Sequence, residues 1–298
     1  DSVLSRGLGD VYKRQDILMT TCYINGKYKP LNQSYVSVTD RGFQFSDGVY
    51  EVIAVFKGEL VDLNLHLNRL FVSLKKMNMK IKFNKNQIIS ITNKIKKLNN
   101  LKMGIIYIQI TRGDQNPREH KYPDKLKPNI IIYSINKNFE YLNKLALKGV
   151  KTSLYPDIRW HRSDIKSISL LGNVLAANHA KENKSHEAVL FDNRNMITEG
   201  NSSSIWIIKK NKCITHPLNF RILKGCTRHK LISILKKNKF KFEEKKFSIK
   251  SLLDADEAFM TSATNFVMPI VKVDKFTISN GKPGLNTLKF RNLFINAI

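Results

Sequence analysis

Leu63, Leu67, Leu70, Phe71 and Leu74 recur at helical spacing, while the apolar runs on either side have the length and composition of strands. This change of period constrains the fold more than any other feature of the chain. Residues 50–56 read as a strand ended by Gly58, residues 62–77 and 86–98 as helices, and residues 105–111 and 129–135 as two strands of one sheet. Strands with two helices make a compact α+β unit. Residues 35–38 have strand composition as well, and residues 112–128 form a polar excursion between the last two strands.

After residue 136 the chain turns polar, and 138–143 is the expected linker. It separates a small N-terminal α+β domain, 19–137, from a larger α/β domain, 144–298. In the second part a helix is expected at 170–184, strands at 187–191 and 204–209, and late strands at 258–261 and 268–273. Gly225 and Thr227 open a further amphipathic helix that carries Leu231, Ile232 and Leu235. The fold class is therefore mixed α/β (α+β), in two domains. Residues 1–18 show no hydrophobic period and no signal-peptide core, so they read as an adapter-derived leader ahead of a natural start at Met19.

The 298 residues are 42% hydrophobic, with no run near the ~20 apolar residues that a membrane helix needs. A soluble protein is expected. Cys22, Cys213 and Cys226 form an odd set without CxxC spacing, which argues against a disulfide framework or a zinc site and for the reducing cytoplasm. The net charge of +27 invites a nucleic-acid partner. Its lysines are spread among asparagines and isoleucines, as in residues 84–102 and 236–246, rather than gathered in a patch, so nucleic acid is not expected. His66, His161, His179, His186, His216 and His229 lack ligand spacing, and no metal is expected.

Lys166 is the most informative single residue. On type alone it would be a solvated lysine. It stands between the charged run 157–162 (DIRWHR) and an apolar run, where partial desolvation would make its amine a nucleophile towards carbonyls. Glu199 follows in Thr198-Glu199-Gly200. An amine that condenses with an aldehyde cofactor and a carboxylate that keeps a pyridine nitrogen protonated are the two protein groups that pyridoxal phosphate chemistry most needs. Residues 223–228 (LKGCTR) present a glycine and a hydroxyl ahead of a helix, and residues 261–264 (TSAT) form a small hydroxyl-rich turn. Either suits a phosphate, and either alone could be an ordinary cap or turn.

Together these motifs resemble the class IV (fold type IV) pyridoxal-phosphate aminotransferases, most closely their D-amino-acid-specific members. The resemblance runs from about Thr21 onward. It rests on residues 40–51 (DRGFQFSDGVYE), His66-x-x-Arg69-Leu70, residues 117–120 (PREH), 157–160 (DIRW), 164–167 (DIKS), Thr198-Glu199-Gly200 and 223–228. It implies a homodimer with pyridoxal 5'-phosphate between the two domains. Lys166 would attach the cofactor and shuttle the proton, and Glu199 would face the pyridine nitrogen. Arg69 would bind the phosphate with Leu223, Cys226, Thr227, Ser262 and Ala263, and Ser203 would complete the cofactor site. Tyr50, with Arg118 and His120 on a loop that reaches across the subunit interface, would hold the substrate carboxylate.

The Arg-x-His pair favours D-amino acids. A branched-chain L-amino-acid aminotransferase or an aminodeoxychorismate lyase of the same fold remains the alternative, with a basic nucleic-acid-binding protein without catalysis as the reading of another class. Two positions depart from the family pattern. Asn201-Ser202-Ser203-Ser204 lacks the asparagine that often follows the serines, and Ala263 stands where threonine is common. The lost hydroxyl is worth about 0.5–1.5 kcal/mol of cofactor binding.

Overall fold

The computed structural model describes residues 20–298, so the expected leader, 1–18, and start at Met19 lie outside the described residues. The chain divides into two compact units, residues 20–60 with 70–137 and residues 61–69 with 138–298.

In chain order the first stretch comprises β1 (Thr21–Ile24), β2 (Lys27–Pro30), α1 (Arg41–Phe45), β3 (Gly48–Phe56), β4 (Glu59–Leu60), α2 (Leu63–Lys76), α3 (Lys85–Leu98), β5 (Gly104–Thr111) and β6 (Asn129–Asn136). The first unit is built on a sheet in the order β2-β1-β6-β5-β3-β4, antiparallel throughout. β3 lies along β5 from Gly48 opposite Thr111 to Val55 opposite Gly104. Asn84 starts α3 with a capping box, its Oδ1 accepting from Gln87 N at 2.9 Å while Gln87 Oε1 accepts from Asn84 N at 2.8 Å. Ile88, Ile91 and Ile95 form the buried stripe of that helix. Residues 35–38 are not a strand: they pair with no neighbour, and Tyr35 and Val38 stand exposed. Strand composition alone forms nothing without a sheet edge to bond to.

The second unit contains α4 (Phe139–Lys148), β7 (Val150–Pro156), α5 (Leu171–Glu182), β8 (Glu187–Phe191), β9 (Ile197–Gly200), β10 (Ser204–Lys209), β11 (Lys212–Thr215), α6 (Cys226–Lys237), β12 (Phe242–Glu244), α7 (Ile249–Leu253), β13 (Glu257–Ser262), β14 (Phe266–Val273), β15 (Phe276–Thr277) and α8 (Leu285–Ile295). Its sheet runs β12-β11-β10-β13-β14-β7-β8-β9, with β15 on β14. β7 is parallel to both β14 and β8, whereas β10, β13 and β14 pair antiparallel.

The stretch expected as a helix-poor linker, 138–143, is instead the cap and first turn of α4. Asn138 Oδ1 accepts from Tyr141 N at 2.9 Å, and Phe139, Leu142 and Ala146 are buried at helical spacing. Phe139 stacks on Phe266 with ring centroids 5.2 Å apart. Around Trp206 the core closes tightly: its ring stacks on Phe259 at 5.5 Å, and its Nε1 donates to Thr261 Oγ1 at 3.0 Å. The bonded N–H removes the penalty that a buried polar group would otherwise carry. Among the described residues no helix is long and apolar enough to cross a membrane, and the three cysteines are buried and unpaired.

Candidate active site

Glu199 sits on β9, where all four residues are buried. A carboxylate there needs partners. Arg159 Nη1 donates to Glu199 Oε2 at 2.8 Å, and Leu223 N–H donates to both carboxylate oxygens at 3.1 Å. Arg159 is itself gripped by Asp157, whose Oδ1 accepts from Nε at 2.9 Å and whose Oδ2 accepts from Nη2 at 2.9 Å. Thr198 Oγ1 donates to Asp157 Oδ2 at 2.8 Å. Burial raises the Glu199 carboxyl above its ordinary value, with Arg159 and the Leu223 amide pulling the other way. Burial also works to raise Asp157, but the bonds and charge of Arg159 outweigh it and hold that carboxyl low. Against its own burial, the two carboxylates keep the guanidinium firmly cationic.

The same segment leads into a cradle for an anion. Gly225 caps α6 with no side-chain cap bond, and Cys226 and Thr227 are buried in the first turn. A helix N-terminus of this kind offers N–H groups and a favourable dipole to a phosphate. A Cβ at Gly225 would stand 3.1 Å from Ser204 Oγ and 3.3 Å from Arg228 Cβ, so glycine keeps the approach narrow. Arg69, half-buried on α2, donates from Nη1 to the Lys224 carbonyl at 2.9 Å, which brings its guanidinium to the start of α6. Lys230 on α6 pairs with Asp62, just before α2, at 3.2 Å.

Lys166 lies in the loop between β7 and α5 and is half-buried. Its backbone setting is fixed: Asp164 N donates to Phe220 O at 3.1 Å, Ile165 N to Arg162 O at 3.0 Å and Ser167 N to Ile165 O at 2.8 Å, with Ile165 buried. Ser203 donates from Oγ to Glu187 Oε1 at 2.8 Å, and Ser202 N donates to the same oxygen at 2.8 Å. Ser262 and Ala263 stand half-buried where β13 turns into β14, and Ser262 Oγ accepts from Asn265 N at 3.2 Å.

Tyr50, Arg118 and His120, expected to hold a substrate carboxylate, belong to the first unit. Tyr50 lies on β3 and stacks on Tyr107 at 5.8 Å. Arg118 and His120 share one ring: the Arg118 guanidinium carbon lies 4.3 Å from the Phe45 centroid, and the His120 ring lies 5.3 Å from it. The loop that carries them is therefore organised rather than merely polar. Its anchor is the segment 40–47. Asp40 caps α1 by accepting from Phe43 N at 3.1 Å, while its Oδ2 accepts from Thr111 Oγ1 at 2.5 Å and Asn129 Nδ2 at 2.6 Å. A Cβ at Gly42 would meet Thr111 Cγ2 at 2.2 Å, so only glycine lets α1 lie this close to β5.

The sequence assigns no role to Arg159, Asp157 or Arg41, which it shows only within motifs, and none to Glu187 or Gln115. Buried charge was the available signal for Arg159, because an Asp-x-Arg run reads as surface until its distant partner is known.

Known proteins resemble this chain in sequence and in fold. The model of the amino-transferase class IV family matches residues 48–273. The chain is 35% identical over 275 residues to a D-alanine aminotransferase of Listeria innocua, covering 92% of this chain and 95% of that protein. It is 36% identical over 274 residues to a D-alanine aminotransferase of Bacillus licheniformis, covering 92% and 95%. Among solved structures, the Escherichia coli branched-chain amino acid aminotransferase has a TM-score of 0.84 at 20% identity, covering 93% of this chain and 94% of that one. A hypothetical aminotransferase from Mycobacterium tuberculosis, in its PLP-bound form, has a TM-score of 0.82 at 15% identity, covering 93% and 98%. The chain belongs to the class IV aminotransferases. It is a transaminase with a mixed α/β fold.

Proposed function

We propose that the protein moves the amino group of a D-amino acid, such as D-alanine, to a 2-oxo acid, such as 2-oxoglutarate, using pyridoxal 5'-phosphate. The observation that carries the D-specific reading is the pair Arg118 and His120 gathered on Phe45, two cationic or donor side chains presented together as a carboxylate trap. Relatives named D-alanine aminotransferase at 34–36% identity support it.

The residues present fit the cofactor. Glu199 offers a buried carboxylate for the pyridine nitrogen, and the uncapped N-terminus of α6 with Arg69 offers a phosphate cradle. Leu223 belongs to this set by binding Glu199, and Cys226 and Thr227 by opening the helix, with Ser203, Ser262 and Ala263 on neighbouring strands and turns. When bound, the cofactor supplies an aldehyde for the substrate amine and a ring that withdraws electrons. Glu199 would face the ring nitrogen and favour its protonated form, and Arg159 keeps Glu199 oriented. Lys166 would attach the cofactor, and its Nζ, once freed, would take up and return the proton of the substrate α-carbon. The same residues would serve the return half-reaction with the 2-oxo acid. Tyr50 would bind the substrate carboxylate together with Arg118 and His120, whose loop the family resemblance places at the subunit interface. The enzyme works as a cytoplasmic homodimer, as its resemblance to the family implies.

A donor panel tests the reading. Purified protein assayed with both enantiomers of alanine, glutamate and leucine, and with aminodeoxychorismate, turns over D-alanine fastest. Preference for L-leucine, or pyruvate release from aminodeoxychorismate, would replace the D-specific reading with one of its relatives in the same fold.

A further inference from the structure

The loop after β5 carries Arg118 and His120, yet residues 116–125 are all exposed. An exposed polar loop has many conformations available, and holding one costs about 1–2 kcal/mol per residue in backbone entropy. Two buried side chains from outside that exposed stretch hold it. Arg41, at 4% exposure, donates from Nη1 to the Glu119 carbonyl at 2.7 Å and from Nη2 to the His120 carbonyl at 3.0 Å. Gln115 donates from Nε2 to the Lys121 carbonyl at 2.8 Å. Three successive carbonyls directly after Arg118 are thus gripped by two residues.

The two grips are joined and anchored. Arg41 Nη1 also donates to Gln115 Oε1 at 2.6 Å, and Gln115 N donates to Thr39 O at 3.1 Å. Asp47 Oδ2 accepts from Arg41 Nε at 2.8 Å and from Arg112 Nε at 2.7 Å. Arg112 in turn donates from Nη2 to Met77 O at 2.8 Å. The planar fork of arginine reaches two neighbouring carbonyls at once while its Nε stays on Asp47; the single ammonium of a lysine cannot. Phe45, one turn along α1 from Arg41, supplies the ring on which Arg118 and His120 rest.

We propose that Arg41 and Gln115 form a clamp that positions Arg118 and His120 for the substrate carboxylate. Both clamp residues act on the loop backbone, as positioning residues rather than catalytic ones. The inference rests on the carboxylate reading of Arg118 and His120 given above, and it adds the residues that set their geometry.

Steady-state kinetics of the holoenzyme with D-alanine, and inhibition by propionate as a bare carboxylate, test it in Arg41→Lys, Gln115→Leu and Arg118→Ala. The clamp variants raise KM and the propionate inhibition constant by about 10-fold while kcat at saturation changes far less, since a misplacement of about 1 Å is enough for such losses. Placed on a chain already carrying Arg118→Ala and His120→Ala, Arg41→Lys or Gln115→Leu adds no further rise. A general structural role would add one. If Arg41→Lys does not fold, Gln115→Leu, which leaves the Arg41–Asp47 pair in place, carries the test. A raised KM in Arg118→Ala with unchanged values in the clamp variants overturns the clamp alone. An unchanged KM in Arg118→Ala overturns the carboxylate reading, and the clamp with it.

Discussion

Arg159 Nη1 lies 2.8 Å from Glu199 Oε2, with both side chains buried. Forty residues separate them in sequence, yet each is the other's condition for being inside the protein. Without Arg159, burial would drive Glu199 towards the neutral acid; without Glu199 and Asp157, the guanidinium would be an unpaired buried charge. The pair leaves a buried carboxyl group, stiffly held by Arg159 and the Leu223 amide, as the group proposed to meet the pyridine nitrogen.

Replacing Glu199 with glutamine keeps the shape and removes the charge. Glu199→Gln lowers kcat by roughly 100-fold or more, because the ring nitrogen is no longer held protonated. Arg159→Leu, by contrast, leaves two buried carboxylates without their cation and costs about 3–5 kcal/mol of stability. Single-turnover kinetics of the first and urea denaturation of the second check the division of labour. Equal losses of stability in both variants would contradict it.

Arg69→Ala weakens cofactor binding more than turnover. A charge-assisted contact to phosphate is worth about 1.5–3 kcal/mol, so the dissociation constant rises by about 10- to 100-fold. Equilibrium dialysis followed by assay with excess cofactor reads both quantities. Unchanged affinity would remove Arg69 from the phosphate site.

Glu187 supplies a pH signature. Burial raises its carboxyl above the ordinary 4.5 despite the bonds from Ser202 and Ser203. A raised folded-state value means that the folded protein holds this proton more tightly than the unfolded chain. Its contribution to stability is therefore greatest below about pH 4.5 and is lost as pH rises through the folded-state value. Glu187→Gln keeps an acceptor for Ser203 and removes the titration. Melting temperatures of the two proteins converge in acid and separate towards neutral pH, with the variant higher. A difference that does not vary with pH would contradict this account.

Much of the fold is legible in the sequence where a period is long and unbroken. Leu67, Leu70 and Leu74 locate α2, and the isoleucines of 105–111 and 129–135 locate β5 and β6 to within a residue. Short elements fail for physical reasons. Tyr35 and Val38 have the right composition and no strand beside them, whereas α4 hides in a polar stretch because Phe139, Leu142 and Ala146 form only a narrow stripe. β11 is four residues long and depends on Lys210 and Asn211 adopting positive φ in the turn before it. In the site, Lys166, Glu199 and Leu223 stand out through local motifs. Arg159 and Arg41 lie within such motifs but show no role there, because Arg159 meets Glu199 40 residues away and Arg41 meets Gln115 and the His120 carbonyl 74 and 79 residues away.

The central claim is that Lys166, among the many lysines of this chain, is the amine that holds the cofactor. Borohydride reduction of the holoenzyme, followed by proteolysis and mass spectrometry, fixes the attachment point covalently. A phosphopyridoxyl group on the peptide that contains Lys166, absent when the same treatment is applied to Lys166→Ala, is the predicted result. The group on a different lysine of the wild-type protein, or normal transamination by Lys166→Ala, would contradict the account.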